Sequence, residues 1–161
     1  MDIPVKSTGC IQFFLQLFCE LCLSELTEES EKACARIVDA GFPLGNQTVL
    51  LKGINDSVSS MRELLLRLVH NRIRPYYLYQ CDLTEGISHF RTPVETGIRI
   101  LHELQGYISG FAIPKFVIDA PGGGGKVPFQ YPYLLSQDEN EIIFENYQGK
   151  VFHYPNPAQD Q

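Results

Sequence analysis

The 161-residue sequence predicts an α/β fold on two observations: amphipathic helical segments alternate with short apolar strands over residues 25–126, and turn-separated short strands close the chain. Repeated strand–helix–strand order implies parallel strands joined by right-handed crossovers. Closely spaced strands with polar turns imply an antiparallel β appendage. Three units follow: an apolar N-terminal segment (1–24), βα units (25–126), and C-terminal β hairpins with a tail (127–161). Three predicted parallel strands cannot close an eight-stranded barrel, so the sheet is either open or part of a larger fold.

The apolar run over residues 11–23 is too short, and too interrupted by Gln12, Gln16 and Glu20, to cross about 20 residues of bilayer core. Its weakly basic start and the Ser24-Glu25-Leu26 flank do not make a signal peptide, so a buried amphipathic helix is expected there. Thr27 caps a first helix with Glu28, Glu29 and Glu31 in its opening turn, a buried stripe of Ala33, Cys34, Ile37 and Val38, and a stop at Gly41. A strand follows over 44–51. Asn55-Asp56 introduces a second helix, with Val58, Met61, Leu64, Leu65, Leu68 and Val69 at helical spacing, which ends before Pro75. The next strand spans 74–81. Thr92-Pro93-Val94-Glu95 offers a capping residue, a first-turn proline and a glutamate three residues after the cap, so a third helix starts there. It presents Val94, Ile98, Leu101 and Leu104 on one side and closes at Gly106. Residues 111–118 give the third strand, and residues 133–136, 141–147 and 151–154 give the short strands of the appendage.

A hydrophobic content of 44% with 20% charge is that of a globular domain, and a net charge of −6 argues against a general nucleic-acid binder, which needs clustered Lys and Arg. Five cysteines, at 10, 19, 22, 34 and 81, are an odd number without disulfide-framework spacing, so a reducing, cytoplasmic setting is expected. Cys19 and Cys22 have no second CxxC or paired His at zinc-site distance, and no metal site is expected.

Chemistry concentrates in Asp119-Ala-Pro-Gly-Gly-Gly-Gly-Lys126, which sets one amine on a loop of glycines just after an apolar strand. Such a lysine can hold a phosphate or act as a Schiff-base amine. A flexible surface turn is the alternative, although Pro121 and Pro128 brace the run on both sides. A nucleotide P-loop fails, because Val127 stands where a magnesium-binding Ser or Thr is needed and Pro128-Phe129 does not open a helix. Asp82 and Asp119 each follow a predicted parallel strand, where active groups of α/β folds collect, and they would converge on one pocket. Paired acids there suit acid–base work, a divalent metal or a cationic substrate, while an Asx turn at Asp82 and a loop cap at Asp119 are the structural alternatives. His89 and Arg91 lie in a loop on the same face without a partner at triad or ligand spacing. Asn46, Gln47 and Thr48 put polar groups inside a strand otherwise ready for burial; they need hydrogen bonds, and a bound ligand is one source.

Taken together, residues 43–56, Arg74-Pro-Tyr-Tyr-Leu-Tyr-Gln-Cys-Asp-Leu83, Gly86-Ile-Ser-His-Phe-Arg-Thr-Pro93 and the glycine–lysine motif resemble the lysine 2,3-aminomutase family over about residues 25–157. That family uses radical S-adenosylmethionine chemistry with pyridoxal phosphate to move the α-amino group of L-lysine to the β-carbon. The resemblance implies a partial TIM-type (β/α) barrel with parallel strands. Lys126 would form the internal aldimine with pyridoxal phosphate. Asp82 and Asp119 would bind the substrate ε-ammonium, Tyr79 would lie by the cofactor, and Gln47 would face S-adenosylmethionine. The sequence also departs from the family. Its cysteines lack the CxxxCxxC spacing of the 4Fe-4S cluster, the upstream arginine-rich segment that grips the phosphate and the late zinc cysteines are missing, and Ser57 stands where some relatives place a zinc-ligating cysteine. Residues 1–24 fall outside the resemblance, so a truncated or frame-disrupted start is expected. The expected partners are L-lysine and either further copies of the chain or a missing N-terminal half, with no nucleic acid and no membrane. Turnover by the chain alone is not expected; a catalytically inactive pyridoxal-phosphate-binding remnant or a subunit of a split barrel is the alternative.

Overall fold

The computed structural model describes residues 17–156. Four segments build a parallel ladder of β1 (Leu17–Cys19), β2 (Leu44–Leu50), β3 (Ile73–Gln80) and β4 (Lys115–Ala120), in that spatial order. Strand β5 (Gly125–Phe129) then adds antiparallel to β4. Its Pro128 is tolerated because β5 is an edge strand with one side free of ladder bonds. A separate antiparallel sheet holds β6 (Leu134–Gln137), β7 (Glu141–Glu145) and β8 (Val151–Pro155). The described chain is thus mixed α/β, with a four-strand parallel sheet and a three-strand antiparallel one.

Helices α1 (Glu28–Asp39), α2 (Val58–His70) and α3 (Val94–Leu104) make the crossovers. Thr27 caps α1 by accepting from Ser30 N at 3.3 Å while Ser30 Oγ accepts from Thr27 N, and Gly41 ends the segment at φ +90°. Ser57 caps α2 by accepting from Ser60 N at 3.1 Å, while Ser60 Oγ donates to Ser57 O. Met61, Leu64, Leu65 and Leu68 of α2 are fully buried against Leu50, Ile73, Leu78 and Phe116 of the sheet, which forms the core the helical spacing predicts. No helix among the described residues is long and apolar enough to cross a membrane.

Four expectations are corrected. The N-terminal apolar run does not continue as a helix: residues 17–25 form β1 and a 3-10 turn at Leu23–Glu25, and residues 11–16 lie outside the described residues. Buried Asn46 holds this stretch by accepting from Leu21 N at 2.8 Å and donating to Leu21 O at 3.2 Å, so an extended segment gains partners that a helix would forgo. Thr92 does not cap α3. Its carbonyl accepts from Gln80 Nε2 at 2.8 Å, Pro93 takes ψ 146° and stands at the cap itself, and the box with Glu95 does not form. The buried face of α3 is Gly97, Ile100 and Leu104, with Val94, Ile98 and Leu101 on its rim. Finally, β5 was not anticipated, because Gly125 and Pro128 are poor strand formers in isolation.

Candidate functional site

Parallel pairing sets the site. Gln47 pairs with Tyr77 and Val49 with Tyr79 across β2–β3, Tyr79 pairs with Val117 across β3–β4, and Asp119 pairs with Lys126 across β4–β5. Paired residues share a face, and so do residues two apart along a strand, so Gln47, Tyr79, Asp119 and Lys126 all stand on the side of the sheet away from the helical core.

The four-glycine run is a tight hairpin turn. Gly122, Gly123 and Gly125 take φ of +71°, +83° and +80°, where a side chain is strained, and a Cβ at Gly124 would lie 2.7 Å from the Ala120 Cβ. Four glycines thus meet three conformational demands and one spatial one. The turn folds Lys126 back onto Asp119: Nζ donates to Oδ1 at 3.1 Å and to Oδ2 at 3.4 Å, with the two side chains 46% and 40% exposed. The ammonium also sits 5.1 Å from the centre of the Tyr79 ring, whose hydroxyl donates to Gln47 Oε1 at 2.8 Å. Hydrogen bonding to Asp119, and secondarily to Tyr79, holds the Lys126 ammonium above the ordinary lysine range. In this state Lys126 is a stabilised cation and not a free nucleophile.

Asp82 joins the same site. It follows β3 and lines a cleft of about 530 Å³ together with Asp119, Gln47, Tyr79, Thr84 and Glu20. The strand-end rule therefore brings the two predicted carboxylates into one cleft, whose lining also includes Gln47 and Tyr79. The lining contains three carboxylates and neither lysine nor arginine, an electrostatic setting for a cation. Glu20 was missed because β1 was not recognised; it occupies the same strand-end position that singled out Asp82.

Other candidates have structural roles. Arg91 closes the loop after Asp82, with Nε donating to Asp82 O and Nη2 to Thr84 O, each at 3.0 Å. His89 is exposed and packs on Phe90 with ring centres 4.1 Å apart. Asn46 and Thr48 are satisfied internally, by Leu21 and by each other at 2.6 Å, and need no ligand. A second cavity, of about 450 Å³, lies between α3, β4 and the segment before β6, and carboxylates are not among its lining residues. There His102 stacks on Tyr131 at 3.8 Å and contacts Tyr133 Oη at 3.1 Å, docking the C-terminal sheet onto α3.

A family model described as Lysine-2,3-aminomutase matches residues 101–161, which include Asp119 and Lys126. The L-lysine 2,3-aminomutase of Bacillus subtilis (strain 168) is 55% identical over 133 residues, 83% of this chain and 28% of that protein. The chain matches the C-terminal portion of the lysine 2,3-aminomutase family. The L-lysine 2,3-aminomutase of Clostridium subterminale is 53% identical, over 83% of this chain and 32% of its own length. The glutamate 2,3-aminomutase of Clostridioides difficile (strain 630) is 44% identical, over 79% and 30%. The chain spans about a third of the length of these family members.

The cofactors implied by the lysine 2,3-aminomutase resemblance fit this chain unequally. Pyridoxal phosphate needs a primary amine at its aldehyde and cationic donors at its phosphate. Lys126 beside the Tyr79 ring suits the first requirement, and the acidic cleft does not meet the second. An iron–sulfur cluster needs closely spaced thiolates. Cys19 instead donates to Gly45 O and Asn46 Oδ1, and burial pushes its thiol up to about 11. Cys34 and Cys81 are buried, and no group of three or more His, Cys, Asp or Glu among the described residues is placed to hold a metal ion.

Proposed function

We propose that this chain forms the substrate and amine side of a lysine 2,3-aminomutase, an isomerase interconverting L-lysine and L-β-lysine by radical 1,2-amino migration. One observation carries the reading: Asp82 and Asp119 line a single cleft, and Lys126 stands across the hairpin from Asp119. The two carboxylates bind the side-chain ammonium of lysine, while the acidic lining repels the carboxylate of a glutamate side chain. That preference follows from charge alone, since like charges brought into one cleft cost binding and opposite charges favour it.

Within the site Lys126 supplies the amine that holds pyridoxal phosphate, the Tyr79 ring bounds the space beside that amine, and the Tyr79–Gln47 hydrogen bond fixes the ring. When bound, the cofactor would contribute a conjugated π system able to stabilise an unpaired electron beside the migrating nitrogen. Gln47 faces the space assigned to S-adenosylmethionine. The cysteines of this chain, at 10, 19, 22, 34 and 81, lack the spacing that a 4Fe-4S cluster needs. The four parallel strands are read as part of a larger TIM-type barrel.

A second reading keeps the fold without the turnover: a subunit of a split barrel, or an inactive remnant that binds pyridoxal phosphate, assembled with further copies or with a separate N-terminal half. The 46% exposure of the Lys126 side chain favours it, since a reacting amine requires a closed site. Borohydride reduction in the presence of pyridoxal phosphate, followed by peptide mapping, tests the central claim. Label on Lys126 is expected, and Lys126→Arg removes it. Label spread evenly over Lys52, Lys115 and Lys150 overturns the assignment.

A further inference from the structure

We infer that Asp119 is a counter-ion shared in turn by two cations: Lys126 in the free protein, and the ammonium of a ligand once one enters the cleft. Arrival of the ligand thereby frees Lys126 to lose its proton to solvent. The inference rests on the proposed function for the nature of the ligand, but its geometry is independent of any cofactor.

Antiparallel register fixes Asp119 opposite Lys126, and both Asp119 oxygens lie within 3.4 Å of Nζ. The same carboxylate lines the cleft with Asp82. A ligand ammonium seated there meets two carboxylates, whereas Lys126 meets one, so the ligand wins the competition on charge count. Lys126 is left with the Tyr79 ring face, a weaker partner for a cation than a carboxylate in direct contact. A second positive charge in the same cleft acts on Lys126 in the same direction as loss of its partner: each favours the neutral amine. The other ionisable groups near the pair are Tyr77 and Tyr79 from β3, Asp82 from the loop after β3, and Glu20 from the end of β1. Of these, Glu20 and Asp82 add to the acidic field that attracts the ligand. Among the carboxylates lining the cleft, Asp119 is the one that contacts the amine. The arrangement makes the nucleophile conditional: the ion pair with Asp119 favours the ammonium form in the free protein, and a cationic ligand that takes over Asp119 removes that bias.

Side-chain NMR on the uniformly labelled full chain tests this without cofactor. The Lys126 Cε and Nζ resonances, identified by their loss in Lys126→Arg, are followed against pH with and without saturating n-butylguanidinium chloride, a cation that keeps its charge across the lysine range, ionic strength being matched with sodium chloride. Expected are a free-protein midpoint above the ordinary lysine value, a fall of that midpoint when n-butylguanidinium binds, and loss of both effects in Asp119→Asn. Asp82→Asn keeps the raised midpoint and weakens the response. Binding is read separately from the Asp82 carboxyl chemical shift. A Lys126 midpoint unmoved by bound n-butylguanidinium, failure of n-butylguanidinium to bind, or a midpoint still raised in Asp119→Asn overturns the inference. If Asp119→Asn does not fold, Asp119→Ser replaces it, and the wild-type arm stands by itself. Borohydride labelling of Lys126 without this coupling sinks the inference alone; coupling without labelling sinks the cofactor assignment alone.

Discussion

Gly97→Ala sets two opposing effects against each other inside α3. In an ordinary helix interior the change stabilises by about 0.8–1.0 kcal/mol, because alanine gives up less backbone freedom on folding. Here the new methyl would lie 2.5 Å from Phe116 Cζ, 2.7 Å from Cε2 and 2.8 Å from Cε1, against about 3.5–4.0 Å for comfortable carbon contact. Phe116 is only 2% exposed and belongs to the main core, so its ring can yield only by displacing core neighbours or by shifting toward the cavity it helps to line. Overpacking of this kind costs about 1–3 kcal/mol, and three simultaneous overlaps place it in the upper part of that range. The net loss is therefore about 1–2 kcal/mol. For a chain of this size that lowers the melting temperature by roughly 2–8 °C. Urea unfolding followed by circular dichroism reads it as a lower midpoint at unchanged slope. Shortening the ring partner should expose the propensity gain: Gly97→Ala made in a Phe116→Leu background should cost less than in the wild type, or stabilise. A single Gly97→Ala variant stabilised by about 1 kcal/mol would show that α3 does not press on Phe116, and the helix–sheet contact described above would be wrong.

Two further outcomes follow. Burial lifts the Cys19 thiol from its ordinary 9.0 to about 11, so the folded state retains the proton longer than the unfolded one; the associated stability is whole below about pH 9 and is lost as pH climbs toward 11. Iodoacetamide labelling read by mass spectrometry should leave Cys19 unmodified at pH 8.5 and rise steeply only above pH 10, and rapid labelling at pH 8.5 would contradict its burial. The purified chain should elute above its 18.2 kDa monomer mass, because β5 is an edge strand and Leu134, Phe152 and Tyr154 leave apolar surface on the C-terminal sheet; a sharp monomer peak with strongly protected β2–β4 amides would refute this.

Local signals in the sequence carried the helices. Met61, Leu64, Leu65 and Leu68 repeat at helical spacing and are all buried, and Thr27 caps α1 with its own side chain. Parallel order followed from alternation, and the strand-end rule then placed Asp82 and Asp119 in one cleft without any knowledge of distances. The features that escaped depend on distant partners. Three residues of β1 hold no recognisable pattern by themselves; β2 and Asn46, more than twenty residues away, decide their conformation. The pairing of Asp119 with Lys126 was hidden for a related reason, since seven residues of separation bring two groups together only if the glycines between them turn back sharply. Thr92 was misread because a carbonyl contact with Gln80, unseen in the local motif, shifts the helix start by one residue.

The clasp of Asn46 on Leu21 has a consequence for how the sheet edge chooses what lies beside it. The amide accepts from the backbone N–H of Leu21 and donates to its carbonyl, with Thr48 Oγ1 close to the same carbonyl at 3.4 Å. These contacts read the main chain and ignore the identity of the residue gripped. One side chain thus stands in for a rung of β ladder, and it does so blindly with respect to sequence. A segment outside the family motifs can occupy that slot for this reason, and in occupying it brings Glu20 to the mouth of the cleft. What Asn46 fixes is therefore the path of the main chain beyond β1, and along that path Glu20 joins Asp82 and Asp119 among the residues lining the cleft.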